Sequence, residues 1–175
     1  MAVRRETLYF EEPGGANTEL VVEAVAKRVE EGGVDAVVVA SNMGYVAKRV
    51  AERLGGKAPV VSVSEFEYKP KTAKALKKLG VKLVEKCSLP IHGKRDVRET
   101  LYTFGHGLKA AVEAALAAVE AEAVEPGSVV LAVGGKEKGA DTAVVLRVSR
   151  VEEMFSEDPE KRLEVREIVA MPLRK

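Results

Sequence analysis

Short, unbroken β-branched runs alternate here with segments of helical period, and no other feature constrains the fold more. Val34–Ala40 (VDAVVVA), Pro59–Val63, Val81–Val84 and Ser128–Val133 read as strands buried on both faces. Between them lie helical patterns. Leu20, Val21, Ala24, Val25 and Val29 recur on one face after the capping residues Asn17 and Thr18. Val46, Ala47, Val50 and Leu54 form a second stripe, closed by Gly55-Gly56. A basic helix is predicted over Lys71–Leu79, and a long Ala-rich one from Val97 or Gly107 to Ala121. Ala143–Val148 and Val165–Met171 add late strands around a short helix at Val151–Phe155. This alternation predicts βαβ units, hence an α/β fold with a mostly parallel sheet and helices on both faces. The loop Gly134–Asp141 is too short for a parallel crossover of about a dozen residues, so one late strand runs antiparallel.

Composition narrows the function classes. The 175 residues suit a single domain over 1–175, or at most one with a small appendage, and carry 28 Lys plus Arg against 27 Asp plus Glu for a net charge of +1. That balance argues against a nucleic-acid partner, since no basic excess is present to neutralise phosphates. The single cysteine, Cys87, excludes an intramolecular disulfide and a Cys-based zinc cage, and no metal site is expected. No apolar run approaches the ~18 residues of a membrane span, and the start lacks a signal-peptide core. A cytoplasmic protein without a membrane partner is therefore expected. Glu, Lys, Arg, Val and Ala dominate while Gln is absent and Asn occurs only at Asn17 and Asn42, a thermophile's composition.

In open α/β sheets, ligands bind beyond the carboxyl ends of the strands, which selects four loops. Ser41-Asn42-Met43-Gly44-Tyr45 joins a buried strand to a helix start. Free N–H groups, the positive dipole end, the Ser41 and Asn42 side chains and the permissive Gly44 suit a phosphate monoester there. An ordinary capped turn is the other reading. Gly134-Gly135-Lys136-Glu137-Lys138-Gly139-Ala140-Asp141-Thr142 can wrap an anionic or planar ligand, or be a hairpin with solvated lysines; it lacks a Walker A ending. Glu11-Glu12-Pro13-Gly14-Gly15-Ala16-Asn17-Thr18 leads into the first helix, where capping is the simpler role and N–H groups offered to an anion the other. Ser62–Tyr68 carries Ser64 and the aromatics Phe66 and Tyr68, which can flank a flat ring or pack in the core. Cys87, His92 and His106 form no legible nucleophile or metal cluster, and Lys71, Lys74, Lys77 and Lys78 fall on an outer helix face.

Taken together, these segments resemble a known family. VDAVVVASNMGYVAKRVAERLGGKAPVVSVS resembles the first strand–helix–strand unit of the pyruvate kinase carboxyl-terminal domain, and GSVVLAVGGKEKGADTAVVLRV its closing strands and Gly-rich loop. The chain is more similar still to a stand-alone archaeal family built on this domain. The shared motifs are Tyr9–Thr18, Val38–Ser41, Gly134-Gly135 with Gly139–Ala143, and Glu164–Pro172. The resemblance implies a three-layer α/β/α fold and a phosphorylated ligand, flavin mononucleotide (FMN) in the stand-alone family. It implies Ser41, Asn42 and Gly44 on the phosphate. Gly134, Gly135, Asp141 and Thr142 would line the cleft, with Pro13, Gly14, Asn17 and Thr18 closing it; Tyr45, Ser64, Lys136 and Gly139 are further cofactor-binding candidates. Ser64–Pro70 departs from the family pattern, being shorter and more charged.

Pyruvate kinase catalysis is not expected, because its barrel domain alone needs about 250 residues. The leading expectation is a binding domain for a phosphorylated small molecule, FMN above all. The alternatives are a flavin-dependent oxidoreductase, a phosphoester-transforming enzyme, or a regulatory module whose Ala110–Ala118 face serves a homo-oligomer interface.

Overall fold

The computed structural model describes residues 1–175. The β-branched runs pair into one seven-stranded sheet of order β1-β7-β6-β5-β2-β3-β4. The strands are β1 (Leu8–Phe10), β2 (Ala36–Ala40), β3 (Val60–Val63), β4 (Lys82–Val84), β5 (Val129–Gly134), β6 (Thr142–Arg147) and β7 (Glu164–Pro172). Every neighbouring pair is parallel except β5–β6 and β6–β7, so β6 alone runs against the rest. The short loop after β5 forces that reversal, as its length predicts.

Helices cover both faces. On one lie α1 (Thr18–Glu30), α2 (Tyr45–Leu54) and α3 (Pro70–Lys78), on the other α4 (Arg95–Tyr102) and α5 (His106–Glu120). The two apolar layers are separate cores. Val21, Val25, Val50, Leu54 and Leu76 pack on Val37, Val39, Leu131 and Val145. Leu108, Ala111, Val112, Ala115 and Leu116 pack on Val38, Val61, Val130 and Val144. Alternate residues of β2 and β5 thus serve opposite cores, which is why these strands read as continuous apolar runs.

The structure adds three local points. β1 is too short to show a period in the sequence; it exists because it pairs in parallel with β7, Leu8 opposite Ala170. The Ala-rich helix takes the later of its two expected starts: α5 begins at His106, and α4 is a separate helix before the break at 103–105, where Gly105 adopts a φ of 108°. Asn17 precedes α1 but makes no capping bond; its side-chain amide donates to the Glu12 carbonyl at 2.9 Å. The small-residue face of α5 is used for close approach to the sheet, Ala111, Ala115 and Ala118 being fully buried within one chain.

That approach is closest at Gly134. A Cβ built there would lie 2.2 Å from the Gly107 carbonyl oxygen and 2.7 Å from the Ala111 amide nitrogen, both backbone atoms that cannot rotate away. Gly134→Ala therefore forces α5 off the sheet and costs about 1–3 kcal/mol or more in denaturant unfolding. Gly93→Ala, with nothing within 4 Å of its Cβ, changes stability by less than about 0.5 kcal/mol.

Candidate functional site at the switch point of the sheet

The chain leaves β2 over one face through α2 to β3, and returns from β4 over the other face through α4 and α5 to β5. β2 and β5 are neighbours, so the strand order reverses between them, and a crevice opens beyond their carboxyl ends. A cleft of about 380 Å³ occupies that position, within the range of pockets that hold small molecules.

The first wall is the turn after β2, with Ser41, Asn42, Met43, Tyr45 and Val46. Gly44 turns the chain with a φ of 75°, which glycine adopts without strain. The Gly44 amide donates to the Ser41 carbonyl at 3.1 Å and the Ala47 amide to the Ser41 hydroxyl at 3.5 Å. The Tyr45 and Val46 amides find no acceptor in the protein, so the positive end of α2 is open to the cleft. Asn42 is committed elsewhere, accepting from the Glu65 amide at 3.0 Å and donating to the Glu65 carboxylate at 3.1 Å. It ties this turn to the end of β3.

The second wall is the loop from β5 to β6, contributing Gly135, Glu137, Lys138 and Gly139. None of the amides from Gly135 to Gly139 has a backbone acceptor.

The third wall was not legible from the sequence. Along α5, His106, Lys109, Ala110, Glu113 and Ala114 face the cleft, with Tyr102, Cys87, Leu89 and His92 above them. Tyr102 and His106 stack, ring centroids 5.4 Å apart and planes 13° from parallel. Lys109 and Glu113, one turn apart and both nearly fully buried, form an ion pair. The Lys109 ammonium lies 6.0 Å from the centre of the Tyr102 ring. The second Glu113 oxygen accepts from the Ile91 amide at 3.0 Å, anchoring the roof segment, residues 85–94 between β4 and α4, to α5.

Of the residues expected from the sequence, Ser41, Asn42, Tyr45, Gly135 and Gly139 line the cleft together. The others lie around it. Gly44 backs onto α3, its Cβ position 2.6 Å from the Thr72 methyl. Ser64 is fully buried, and its hydroxyl accepts from the Phe66 amide at 3.0 Å. Tyr68 is buried with its hydroxyl donating to the Ser41 carbonyl at 2.7 Å, whereas Phe66 is exposed; neither lines the cleft. Lys136 is exposed.

Pro13, Gly14, Asn17, Thr18, Gly134, Asp141 and Thr142 belong to the frame behind the cleft. The Asp141 carboxylate accepts from the Gly14 amide and the Thr142 hydroxyl, each at 2.8 Å. The Thr18 hydroxyl accepts from the Ala140 amide at 3.0 Å and donates to the Gly15 carbonyl at 2.6 Å. These bonds latch the N-terminal loop onto the β5–β6 loop. Gly139 permits the contact, since a Cβ there would meet Gly15 Cα at 2.2 Å.

Burial pushes the Cys87 thiol up, helped by Glu65, so it is no activated nucleophile. No group of three or more acidic, His or Cys side chains can hold a metal ion. No helix is long and apolar enough to cross a membrane.

The fold is a mostly parallel α/β/α sheet with a cleft at its switch point. Residues 19–148 match the family described as pyruvate kinase, alpha/beta domain, and the chain belongs to that family. Among solved structures, a pyruvate kinase from Cryptosporidium parvum is similar at a TM-score of 0.46 and 17% identity. The alignment covers 74% of this chain and 22% of that one. The matched residues hold every cleft-lining segment; β1, most of the N-terminal latch and β7 lie outside them.

His106 carries a pH consequence. Burial first, then the Lys109 and Lys136 charges, hold its imidazole below the usual 6.5, against the opposing pull of Asp141 and Glu113. A folded-state value below the unfolded one means that the unfolded chain takes up the proton first. Stability from this group is complete above about pH 6.5 and is lost as pH falls through the folded midpoint. NMR titration places the His106 midpoint below 6.5, and His106→Ala removes this part of the pH dependence of unfolding.

Proposed function

We propose that the protein is a binding domain for a phosphorylated small molecule, with FMN as the ligand to test first, and that the phosphate sits at the start of α2. The observation that carries this reading is the pair of acceptor-less amides at Tyr45 and Val46, beside the buried Ser41 hydroxyl at the cleft wall. A phosphate dianion there gains charge-assisted bonds and the helix dipole. Lys138 on the facing loop adds an exposed positive charge.

The remainder of the cleft fits the rest of such a ligand. Leu89, Ala110, Ala114 and the Tyr102 ring offer apolar surface for a flat ring. That surface comes from α4, α5 and the roof rather than from Ser64–Pro70, so the shortened segment does not remove it. FMN bound here would supply two-electron or one-electron redox chemistry from its ring; this chain's residues support binding and orientation, and no reaction is assigned to them.

Fluorescence titration is the test. FMN binds more tightly than riboflavin, which lacks the phosphate, and Ser41→Ala weakens FMN by about tenfold while leaving riboflavin unchanged. Equal affinity for the two flavins, or no affinity for either FMN or inorganic phosphate, overturns the reading.

A further inference from the structure

The α5 wall carries an observation that a phosphate site does not explain. Lys109 is 4% exposed, yet its ammonium has one hydrogen-bonding partner, the Glu113 carboxylate. An ammonium has three N–H donors, so two remain unused in a nearly dry position. Leaving charged donors unpaired in such a place is costly unless something in the cleft accepts them. Lys109 borders the cleft, so an acceptor there is within its surroundings.

The chemistry of that acceptor is restricted by the neighbours. Glu113 already neutralises Lys109. A negative charge on the ligand at this end of the cleft would meet the Glu113 carboxylate at close range. A carbonyl oxygen meets no such penalty and takes a strong bond from an ammonium. Beside it, the stacked Tyr102–His106 pair offers an aromatic platform, and the His106 ring makes no hydrogen bond within the protein. A planar ring carrying carbonyl oxygens satisfies both features at once.

We propose that Lys109 is a head-group anchor: it donates to a carbonyl oxygen of a planar heterocycle held against the Tyr102–His106 pair. Glu113 is the positioning residue, since it holds Lys109 on one oxygen and the roof segment on the other. The inference deepens the proposed binding function by naming the class of the ligand's ring end, and rests on the same cleft being a ligand site. It does not depend on where the phosphate sits.

A phosphate-free probe and a ring-free probe separate the claims. Riboflavin reports on the Lys109 end alone and inorganic phosphate on the α2 end alone, each followed by NMR of Lys109 Cε, the His106 ring and the Tyr45 and Val46 amides. Riboflavin shifts the Lys109 and His106 signals saturably. The charge-neutral double variant Lys109→Met with Glu113→Gln, which retains an acceptor for the Ile91 amide, weakens riboflavin about 10- to 100-fold. Phosphate shifts Tyr45 and Val46 equally in both proteins. Riboflavin that fails to bind, that binds without moving Lys109, or that binds the double variant as well as the native protein overturns the anchor. Phosphate that leaves Tyr45 and Val46 unmoved overturns the α2 site instead. Far-UV circular dichroism and unfolding of the double variant confirm that it folds; if it does not, Lys109→Arg, whose planar fork changes the donor geometry, gives the same readout through altered riboflavin affinity and shift at His106.

Discussion

Backbone-to-backbone contact between α5 and the end of β5 is the constraint on which the rest depends. Gly134 lies directly beneath the Gly107 carbonyl, and Gly107 itself leaves no room for a Cβ, which would fall 2.3 Å from the Asp141 and Thr142 side-chain oxygens. With α5 seated that closely, its first two turns reach the carboxyl end of the sheet and become a wall of the cleft. The same contact sets where the β5–β6 loop emerges, and the glycines of that loop then pack on the N-terminal loop through Gly139 and Gly15. Small residues are therefore spent at this end of the molecule on closeness, and the cleft is what remains between the elements they bring together.

Polar groups divide between frame and cleft. The Gly14 amide donates to Asp141 and the Ala140 amide to Thr18, each across more than a hundred residues of sequence, while Thr142 donates to its neighbour Asp141; these bonds give the loops a defined shape without help from a ligand. At the cleft, the first amides of α2 and two of the three Lys109 N–H groups have no acceptor in the protein, whereas the buried side-chain donor without any partner, Arg147 Nε, lies away from it. Half-buried donors are costly to leave unpaired, which is the physical argument for an acceptor in the cleft. On the outer surface, Arg49–Glu19, Arg53–Glu23 and Lys57–Glu30 connect α1 to α2 and the turn beyond it. Each exposed pair contributes little at ordinary temperature, and their arrangement in rows fits the Glu- and Lys-rich composition.

Much of the fold was legible because its strands are buried on both faces. VDAVVVA and SVVLAV have no polar alternation to confuse with a surface strand, and the loop after β5 was too short to permit anything but a reversal. β1 was illegible since its existence depends on a partner, β7, at the other end of the chain. The site was legible where it is local. Ser41 to Tyr45 is a contiguous strand-to-helix turn, and its donors follow from backbone geometry. The α5 wall was hidden for a different reason. Lys109 and Glu113 at i and i+4 read as an ordinary surface pair on a helix, and only the covering roof segment and α4 convert them into a buried one. His92, Tyr102 and His106 likewise gain meaning only from a crevice that no sequence spacing displays. Asp141 and Thr142 illustrate the converse, polar residues in a glycine-rich loop whose side chains turn out to hold the loop itself.

The central claim is that one cleft, between the start of α2 and the outer face of α5, takes both ends of a phosphorylated, carbonyl-bearing ring compound. A crystal structure of the protein grown with FMN tests it most directly. The account predicts phosphate density within hydrogen-bonding distance of the Tyr45 and Val46 amides and the Ser41 hydroxyl, with the ring lying against Tyr102 and a carbonyl oxygen on Lys109. Density for the flavin on any other surface, or a ring turned away from α5 with Lys109 bonded to Glu113 alone, would contradict it.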